Sequence, residues 1–309
     1  MAAYNYGQYI GEAVRSVTHQ TFANWELIIV DDGSMDDTRN VVRAFLSDRR
    51  IHYHWQRNRG QPQAKNTGIR LSKGGLIAFL DADDIWLPEK LAKQVTLFDT
   101  DPELGVAYTG RYFIDPQGRV RGPERRAMIR GFVLDVAIKR TIPPFSSTII
   151  RRAVLDDVGY FDESIPMAID YDLWLRVAMK YRFDFVDEPL LLYRTGHANL
   201  SRRSTERRTI VLRRILPRFL AMDGVRGRLG WRPIAEAYAD TYMNHARELR
   251  AIAFFGSLAW HSKAILRAPW MAEAWWSAIR CCVPDRVVSC LKAVARSGRR
   301  AWLRASRHA

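Results

Sequence analysis

Three carboxylates fall within four positions in the segment Asp81-Ala82-Asp83-Asp84, directly after an apolar run at 76–80. Packed carboxylates repel one another, and a bound cation removes that cost. Oxygen ligands without a neighbouring cysteine or histidine cluster suit Mg²⁺ or Mn²⁺ better than Zn²⁺. An ion in such a site bridges a diphosphate and stabilises its charge as it leaves. A solvated loop explains the same aspartates, so the position of the segment in the fold decides between these interpretations.

A second acidic segment, Asp31-Asp32-Gly33-Ser34, follows another apolar run at 25–30. Asp, Gly and Ser are turn and helix-capping residues, so this segment could simply start a helix. Both interpretations are compatible, because one carboxylate can cap a helix while the other accepts hydrogen bonds from a base or a ribose. A third polar segment, at 58–66, contains the cations Arg59 and Lys65. These two could contact phosphate, and a solvated loop explains them equally well.

Several phosphate-binding and nucleophilic motifs do not occur in the sequence. There is no Gly-x-Gly-x-x-Gly after a first strand and no Gly-x-x-x-x-Gly-Lys-Ser/Thr, so a dinucleotide or P-loop site lacks its glycine-rich cradle. No serine or cysteine lies in a nucleophile-elbow context. The absence of these motifs disfavours a dinucleotide site, a P-loop site and a nucleophile elbow.

The elements that position these residues alternate between helical and extended periodicity. Apolar spacing predicts helices at 8–20, 41–46, 63–72 and 88–98, and β-rich runs predict strands at 25–30, 51–55 and 76–80. Further along we expect strands at 106–114 and 146–150 and a helix at 171–180. Alternation of this kind is typical of a parallel sheet covered by helices, in which ligands bind beyond the carboxyl ends of the strands. Both acidic segments lie at such ends.

Positive charge is concentrated in the last third of the chain. The net charge is +15, and residues 200–309 hold 22 basic and 7 acidic residues, which accounts for the whole excess. The same region contains six of the ten tryptophans, and its sequence pattern predicts helices. Two regions with different surroundings are implied. We place the boundary at 203/204, with a catalytic domain at 1–203 and a basic, tryptophan-rich helical extension at 204–309.

The sequence predicts a chain without a transmembrane helix. The segment 251–262 has only twelve uncharged residues, whereas a bilayer span needs about 20. The amino-terminal residues show no signal-peptide pattern, and three clustered cysteines are too few for a disulfide framework. We therefore expect a cytoplasmic location, with peripheral attachment to the inner face of the membrane as a further possibility.

Short motifs follow one another in a fixed order between residues 4 and 205. They are Tyr4-Asn5, Tyr9-Ile10-x-Glu12-Ala13, Ser16-Val17, Gln20-Thr21, Val30-Asp31-Asp32-Gly33-Ser34, Asn66-Thr67-Gly68-Ile69, Ile77-Ala78-Phe79-Leu80-Asp81-Ala82-Asp83-Asp84, Gly159-Tyr160-Phe161-Asp162-Glu163, Asp170-Tyr171-Asp172-Leu173-Trp174-Leu175-Arg176 and Tyr193-Arg194. This series resembles the family 2 glycosyltransferases of the GT-A fold. The resemblance implies a Rossmann-like α/β fold with a mostly parallel sheet covered by helices.

The resemblance also implies transfer of a sugar from a nucleotide-sugar donor to a hydroxyl acceptor, such as a surface glycan or a lipid-linked sugar. By similarity, Tyr4 stacks on the donor base and Asp32 hydrogen-bonds it. Asp81 faces the ribose or diphosphate, and Lys65 belongs to the same donor site. A diphosphate leaving group held by a metal needs no protonating acid, so one base suffices and inversion is the implied outcome.

The remaining roles concern the metal and the base. By similarity, Asp83 and Asp84 serve Mg²⁺ or Mn²⁺, and His197, just beyond Tyr193-Arg194, lies near the diphosphate and the metal. Asp170 is the implied general base, with Asp172 as second choice. The alternative for Asp170 is a helix N-cap, and the alternative for His197 is a surface-loop histidine.

The chain departs from the family pattern at three points. Only Met1-Ala2-Ala3 precede Tyr4-Asn5, so either the first strand is truncated or the native start lies upstream of Met1. Ile169 stands where an acidic residue often precedes the base. No Gln-x-x-Arg-Trp occurs, which disfavours processive polysaccharide synthases.

Other functions compete with sugar transfer. A nucleotidyltransferase also uses aspartates on an α/β sheet but leaves the Asp170 region without a role. A catalytically impaired sugar-nucleotide-binding protein is a further alternative. The basic extension could bind nucleic acid. Its helices interleave Trp, Phe and Leu with Arg, however, and residues 1–199 are neutral, so an anionic membrane surface is the better partner.

Overall fold

The structure is a computed structural model that describes residues 1–125, 127–140, 142–197, 204–249 and 254–282. Contacts divide the chain into two compact units, Met1–Arg226 and Gly227–Ala309. By contacts, therefore, residues 204–226 belong with the first unit. The functional boundary that we placed at 203/204 stays a prediction.

A three-stranded parallel sheet opens the first unit, in the order β1-β2-β3. Its elements are β1 (Ala2–Ala3), α1 (Ile10–Thr18), β2 (Leu27–Asp31), α2 (Thr38–Arg43), β3 (Ile51–Trp55) and α3 (Gln61–Leu71). The apolar side chains Ile10, Ala13 and Val14 are buried on one face of α1, as their helical spacing predicts. β1 is only two residues long and pairs Ala3 with Asp31 at the end of β2. The carboxyl end of β2 therefore presents Asp31 and Asp32.

A mixed six-stranded sheet completes the first unit, in the order β4-β8-β6-β9-β5 with β7 beside β6. Its elements are β4 (Leu76–Ala78), β5 (Ile85–Trp86), α4 (Lys90–Thr100), β6 (Leu104–Ile114), β7 (Val120–Pro123), α5 (Leu134–Ala137), β8 (Ile149–Arg151), α6 (Arg152–Val158), α7 (Ile169–Ala178) and β9 (Arg182–Arg194). β6 and β9 run parallel, and the other pairs of this sheet are antiparallel. The predicted α/β class with a central sheet and covering helices is confirmed.

Two local predictions differ from the structure. The third predicted strand, 76–80, is shorter and pairs antiparallel with β8. Pairing partners are set by tertiary packing, which local periodicity does not report. The predicted strand at 146–150 begins as the 3₁₀ turn Phe145–Ser147, in which Ser147 Oγ donates to Pro144 O at 2.6 Å. Side-chain hydroxyls that bond to nearby backbone compete with strand ladders.

The first unit ends in a basic helical segment with the helices α8 (Ser204–Ile210) and α9 (Leu216–Ala221) and a π-helical turn at Val211–Ile215. The short helix α10 (Val225–Leu229) includes the residue at which the first unit ends. We call residues 204–221 the arginine strap. Arg218 forms ion pairs with Asp162 and Asp172, and Arg214 Nη1 donates to Ser164 O at 2.9 Å. Ile215 and Leu216 are fully buried. The strap is thus packed into the first unit.

The second unit contains the helices α11 (Trp231–Leu249), α12 (Phe254–Arg267) and α13 (Ala272–Cys282). Small residues fill its core, among them Ala239, Ala264 and Ala274. Exposed tryptophans lie on its surface, with exposed fractions from 38% to 69%; they are Trp231, Trp270, Trp275 and Trp276. Among the described helices, none is long and apolar enough to cross a membrane. Residues 283–309, with Trp302 and all their charged side chains, lie outside the described residues.

Candidate active site

The acidic loop between β4 and β5 is tied to α3 through Asp81. Lys65, a buried side chain on α3, places its Nζ 2.6 Å from Asp81 Oδ1. The same ammonium lies 3.7 Å from the centroid of the Phe145 ring. Asp81 N donates to Ser146 Oγ at 3.1 Å. Two of the predicted donor-site residues are therefore held together at one edge of the sheet.

Asp83 contacts the predicted histidine. His197 Nε2 lies 2.7 Å from Asp83 Oδ2, and the His197 ring packs 5.0 Å from the Tyr9 ring, centroid to centroid. His197 Nδ1 is buried and has no hydrogen-bond partner in the described part of the chain. The alternative of a surface-loop histidine does not fit this burial. A carboxylate oxygen and an imidazole nitrogen are thus in hydrogen-bond contact at the acidic loop.

Asp84 has different surroundings from its neighbour. It is 1% exposed, and its Oδ1 accepts the backbone N–H of Arg194 at 3.0 Å. Its Oδ2 makes no hydrogen bond of ordinary geometry within the described residues. Burial, then the charges of Asp83 and Asp81, raise the pKa of Asp84 well above its usual value, against the opposing effects of Ser146 and Arg194. The pKa of the nearby Tyr6 hydroxyl is also raised, mainly by burial and further by the three carboxylates.

Arg194 holds the acidic loop in place through a hydrogen bond to its backbone. Its side chain is buried, and Nε donates to Asp83 O at 2.9 Å while Nη1 donates to Pro116 O at 3.0 Å. Nη2 pairs with Glu12 on α1, and the guanidinium lies 4.8 Å from the Tyr9 ring centroid. The motifs Tyr9-Ile10-x-Glu12 and Tyr193-Arg194 are far apart in sequence. In the structure they meet to position the loop.

Asp32 holds the start of α3. Its carboxylate accepts hydrogen bonds from Gln56 Nε2 at 2.7 Å, Arg59 N at 3.0 Å and Gly60 N at 2.8 Å. Asp31 is fully buried and accepts Ser34 N at 2.8 Å and Tyr53 OH at 2.5 Å. The residue that we predicted to bind the donor base thus holds the turn that leads into α3, whose N-cap is Gly60. Carboxylate oxygens have further lone pairs, so these bonds leave room for a ligand bond.

Asp170 lies in the first turn of α7 and is not its N-cap. The helix begins at Ile169, and the N-cap is Ala168, whose φ is +61°. The Asp170 side chain is 24% exposed, with Oδ1 at 3.3 Å from Arg207 Nη2 on α8. Asp172 is buried between Arg176 and Arg218, so our second choice for the base serves an ion-pair network.

Backbone strain accompanies two predicted site residues. In the described part of the chain, the non-glycine residues with positive φ are Ala168 and Asn5, whose φ is +58°. Asn5 follows Tyr4, which is 46% exposed, and Asn5 N donates to Ser34 Oγ at 2.9 Å. Ala168 precedes Asp170 by two positions. Such conformations cost roughly 1–3 kcal/mol each and cluster at functional sites.

A cleft of about 550 Å³ joins part of this constellation. Lys65, Asp81 and Asp170 line it, together with Arg207 and Tyr193. Pockets of this size accommodate small-molecule ligands. Tyr4, Asp32, Asp83, Asp84 and His197 are not among its lining residues. The structure therefore places the predicted base and the Lys65–Asp81 pair in the lining of one cleft.

Two further cations line the same cleft without having been predicted. Arg111 pairs with Glu124 at 2.9 Å, and Arg140 donates only weakly, from Nη2 to Ala127 O at 3.4 Å. Neither they nor Arg207 belong to a motif that the sequence displays. Their positions depend on which elements meet across the cleft, and no local signal reports that.

Comparison with known proteins places the chain in a family. The model of glycosyl transferase family 2 matches residues 1–159. An uncharacterised glycosyltransferase of Nostoc sp. is 32% identical over 209 residues, and one of Methanocaldococcus jannaschii is 30% identical over 202 residues. Each match covers 63% of this chain. It covers 63% of the Nostoc protein and 69% of the Methanocaldococcus protein, so the chain spans less than two thirds of the Nostoc protein.

Solved structures show the same fold at low sequence identity. TarS 1–349 of S. aureus in complex with UDP-GlcNAc matches with a TM-score of 0.67 at 18% identity, over 91% of this chain and 87% of that one. The mannosyltransferase PcManGT from Pyrobaculum calidifontis, in complex with GDP-Man and Mn²⁺, matches with a TM-score of 0.61 at 19% identity, over 97% and 85%. The fold is of the GT-A type. Since the family model also matches more than half of its residues, the chain belongs to glycosyl transferase family 2.

Proposed function

We propose that the chain transfers a sugar from a nucleotide-diphosphate sugar to an acceptor hydroxyl, once per acceptor and with inversion. The observation that carries this proposal is the cleft in which Asp170 faces the same space as the Lys65–Asp81 pair. A transferase needs one group for the leaving diphosphate and one for the incoming hydroxyl. A nucleotidyltransferase gives Asp170 no role, so sugar transfer fits the cleft better.

Asp170 is the proposed base. Its partly exposed carboxylate can accept the proton of an acceptor hydroxyl as that oxygen attacks the anomeric carbon. The leaving group is a diphosphate, so no protonating acid is required of the chain. Attack from the face opposite the leaving group is a single displacement, which inverts the anomeric centre.

Lys65, Asp81, Asp32 and Tyr4 are the proposed donor-binding residues. The Lys65 ammonium is held 2.6 Å from Asp81 and stabilises negative charge close to where the diphosphate is expected. Asp32 at the end of β2 retains acceptor capacity for a base, and the exposed Tyr4 ring is available for stacking. TarS with UDP-GlcNAc and PcManGT with GDP-Man support a nucleotide-sugar donor.

Asp83 and His197 are the residues that fit a divalent cation. Within the described residues, no group of three or more His, Cys, Asp or Glu side chains is placed to hold an ion. Asp83 Oδ2 and His197 Nε2 nevertheless lie only 2.7 Å apart, and they would supply two ligands if a cation replaced the hydrogen bond between them. Ions such as Mg²⁺ and Mn²⁺ take their remaining ligands from substrate phosphates and water. Asp84 is a weaker candidate because it is only 1% exposed, against 8% for Asp83, although its Oδ2 has no hydrogen-bond partner within the described residues. A bound cation would neutralise the leaving diphosphate. PcManGT with Mn²⁺ supports this assignment.

We also propose that residues 204–309 attach the enzyme to the inner, anionic face of the cytoplasmic membrane. Four tryptophans of the second unit are exposed, and tryptophan favours the headgroup zone. The excess charge of the whole chain lies in the same region. Such a location suits a lipid-linked or cell-envelope glycan acceptor.

A donor screen tests the transferase proposal. UDP-, GDP- and dTDP-sugars are added to the full chain with and without Mn²⁺, and thermal stability and release of nucleoside diphosphate are measured. Donor at 100 times its Kd stabilises by about 2.7 kcal/mol. We expect one nucleotide class to stabilise the chain and to be turned over only with metal. Binding without turnover supports the impaired-protein alternative, and turnover of a nucleoside triphosphate with a sugar phosphate supports a nucleotidyltransferase.

A further inference from the structure

The four cations of the cleft differ in how their charges are balanced. Three of them face a carboxylate: Lys65 with Asp81 at 2.6 Å, Arg111 with Glu124 at 2.9 Å, and Arg207 with Asp170 at 3.3 Å. Arg140 has no carboxylate partner among the described residues. Its one hydrogen bond there runs from Nη2 to Ala127 O at 3.4 Å, and its Nε is buried without a partner.

An uncompensated arginine in a partly buried position is costly for the protein alone. The guanidinium stays protonated at every physiological pH and cannot escape the cost by losing its proton. Burial of a charge without a partner opposes folding. An anion that enters the cleft with a ligand would remove this cost, and the planar fork of arginine matches a carboxylate or phosphate through two parallel hydrogen bonds.

The position of Arg140 separates it from the donor residues. Lys65 and Asp81 come from α3 and the loop after β4, and Lys65 is packed against Phe145. Arg140 follows α5 and bonds to Ala127, beside the segment in which Ile129 O accepts the Tyr108 hydroxyl at 2.8 Å. Its charge also reaches Tyr108, where it opposes the rise in pKa that burial causes. Arg140 therefore belongs to the β6 side of the cleft.

We propose that Arg140 binds an oxyanion carried by the acceptor, so that the natural acceptor is an anionic molecule. This inference rests on the proposed transferase function and names the class of its second substrate. The donor's diphosphate is served by Lys65, and Asp170 stands in the same cleft to receive the acceptor's proton. The shared chemistry is a phosphate or carboxylate close to the accepting hydroxyl, as in a phosphate-bearing polyol or lipid, or in a uronic acid.

Paired probes that differ in charge test the proposal on the full chain. Glycerol 3-phosphate is compared with glycerol, and methyl glucuronide with methyl glucoside, by titration followed with NMR. The wild type, Arg140→Gln and the control Arg130→Gln are titrated in parallel. Arg130 pairs with Asp184 at 3.3 Å on the surface and does not line the cleft. UDP and GDP with Mn²⁺ are titrated into the same three proteins.

We expect the wild type and Arg130→Gln to bind at least one anionic probe more tightly than its neutral partner. Arg140→Gln should lose roughly 10- to 100-fold of that affinity, as for a charge-assisted hydrogen bond, while its nucleotide affinity stays unchanged. The phosphate and carboxylate arms show which source of the oxyanion is preferred.

The proposal is overturned if neither anionic probe binds, if charged and neutral probes bind alike, or if Arg140→Gln behaves as the wild type. It is also overturned if nucleotide affinity falls in Arg140→Gln by the same factor, because Arg140 then serves the donor. Turnover of a nucleotide sugar by the wild type is measured separately. Turnover without charge discrimination removes only the acceptor inference, and discrimination without turnover removes only the transferase function.

Discussion

Asp83 and Asp84 are neighbours in sequence, yet their carboxylates have different partners. Asp83 faces His197, whereas Asp84 is buried and accepts a backbone N–H from the end of β9. Asp83→Asn should abolish metal-dependent donor turnover and change the free energy of unfolding by about 1 kcal/mol or less, since loop residues at a ligand edge carry little packing energy.

Asp84→Asn is the matched comparison, because an amide oxygen can still accept the Arg194 N–H. We expect it to lose less turnover than Asp83→Asn when both are assayed across a range of Mn²⁺ concentrations. Full activity in both variants would refute a metal role for this loop. Full activity in Asp83→Asn alone would move the role to Asp84.

Asp170 and Asp172 both lie on α7, and their substitutions should affect different properties, the transfer rate for Asp170 and the stability for Asp172. Asp170→Asn should keep donor affinity and lose roughly 10²–10⁴ in transfer rate, the usual contribution of a positioned base. Asp172→Asn breaks ion pairs with Arg176 and Arg218 and should lower the free energy of unfolding by roughly 1–3 kcal/mol. Calorimetric donor titration, transfer assays and urea unfolding separate the two effects.

If Asp170→Asn loses donor affinity while its saturated rate stays normal, Asp170 is a structural residue. Arg207→Ala, made in the wild type and in Asp170→Asn, provides a control. If Arg207 acts through Asp170, Arg207→Ala should lower the transfer rate more in the wild type than in Asp170→Asn.

At the scale of elements, α4 begins with a buried lysine. Lys90 is 0% exposed, donates from Nζ to Gln94 Oε1 at 2.6 Å and lies 4.2 Å from the Trp86 ring centroid. Burial holds the pKa of Lys90 well below 10.5 in the folded chain. The unfolded chain therefore binds more protons between the folded and unfolded pKa values, and stability rises with pH across that window.

Lys90→Met removes this titration. The free energy of unfolding of the wild type, minus that of Lys90→Met, should increase as pH rises toward 10.5. Urea unfolding at several pH values from 7 to 10 measures the difference, in which other titrating groups cancel. A difference that does not change with pH contradicts a depressed Lys90 pKa in the folded state.

The elements also show where sequence reasoning stops. Helical spacing identified α1 and α3, and apolar runs identified β2 and β3, because each pattern reflects burial of a local face. The antiparallel pairing of β4 with β8 depends on a strand more than seventy residues away, and no local pattern encodes it. Arg140 illustrates the same limit in the site. Its proposed role rests on the absence of a carboxylate partner among the described residues, and only the assembled cleft shows that absence.

At the scale of the whole molecule, charge and exposed tryptophan lead to one prediction. The full chain should float with anionic vesicles at low salt and detach at high salt, because exposed charges are screened within about 8 Å at physiological ionic strength. Trp276→Ser removes an exposed ring of the second unit and should weaken binding, and neutral vesicles serve as the lipid control. A chain that stays unbound on anionic vesicles at low salt shows that the extension does not anchor it.

The arginine strap limits how this chain could exchange parts with its relatives. Asp162, Asp170 and Asp172 take arginines from the strap, and Ile215 and Leu216 of the strap are buried in the first unit. A fragment that ends at residue 203 would lose these arginines and the buried side chains together. Recombination at that point joins three carboxylates to a foreign segment without matching charges. The strap and these three carboxylates are therefore expected to be inherited as one module, with the first permissible junction beyond residue 226.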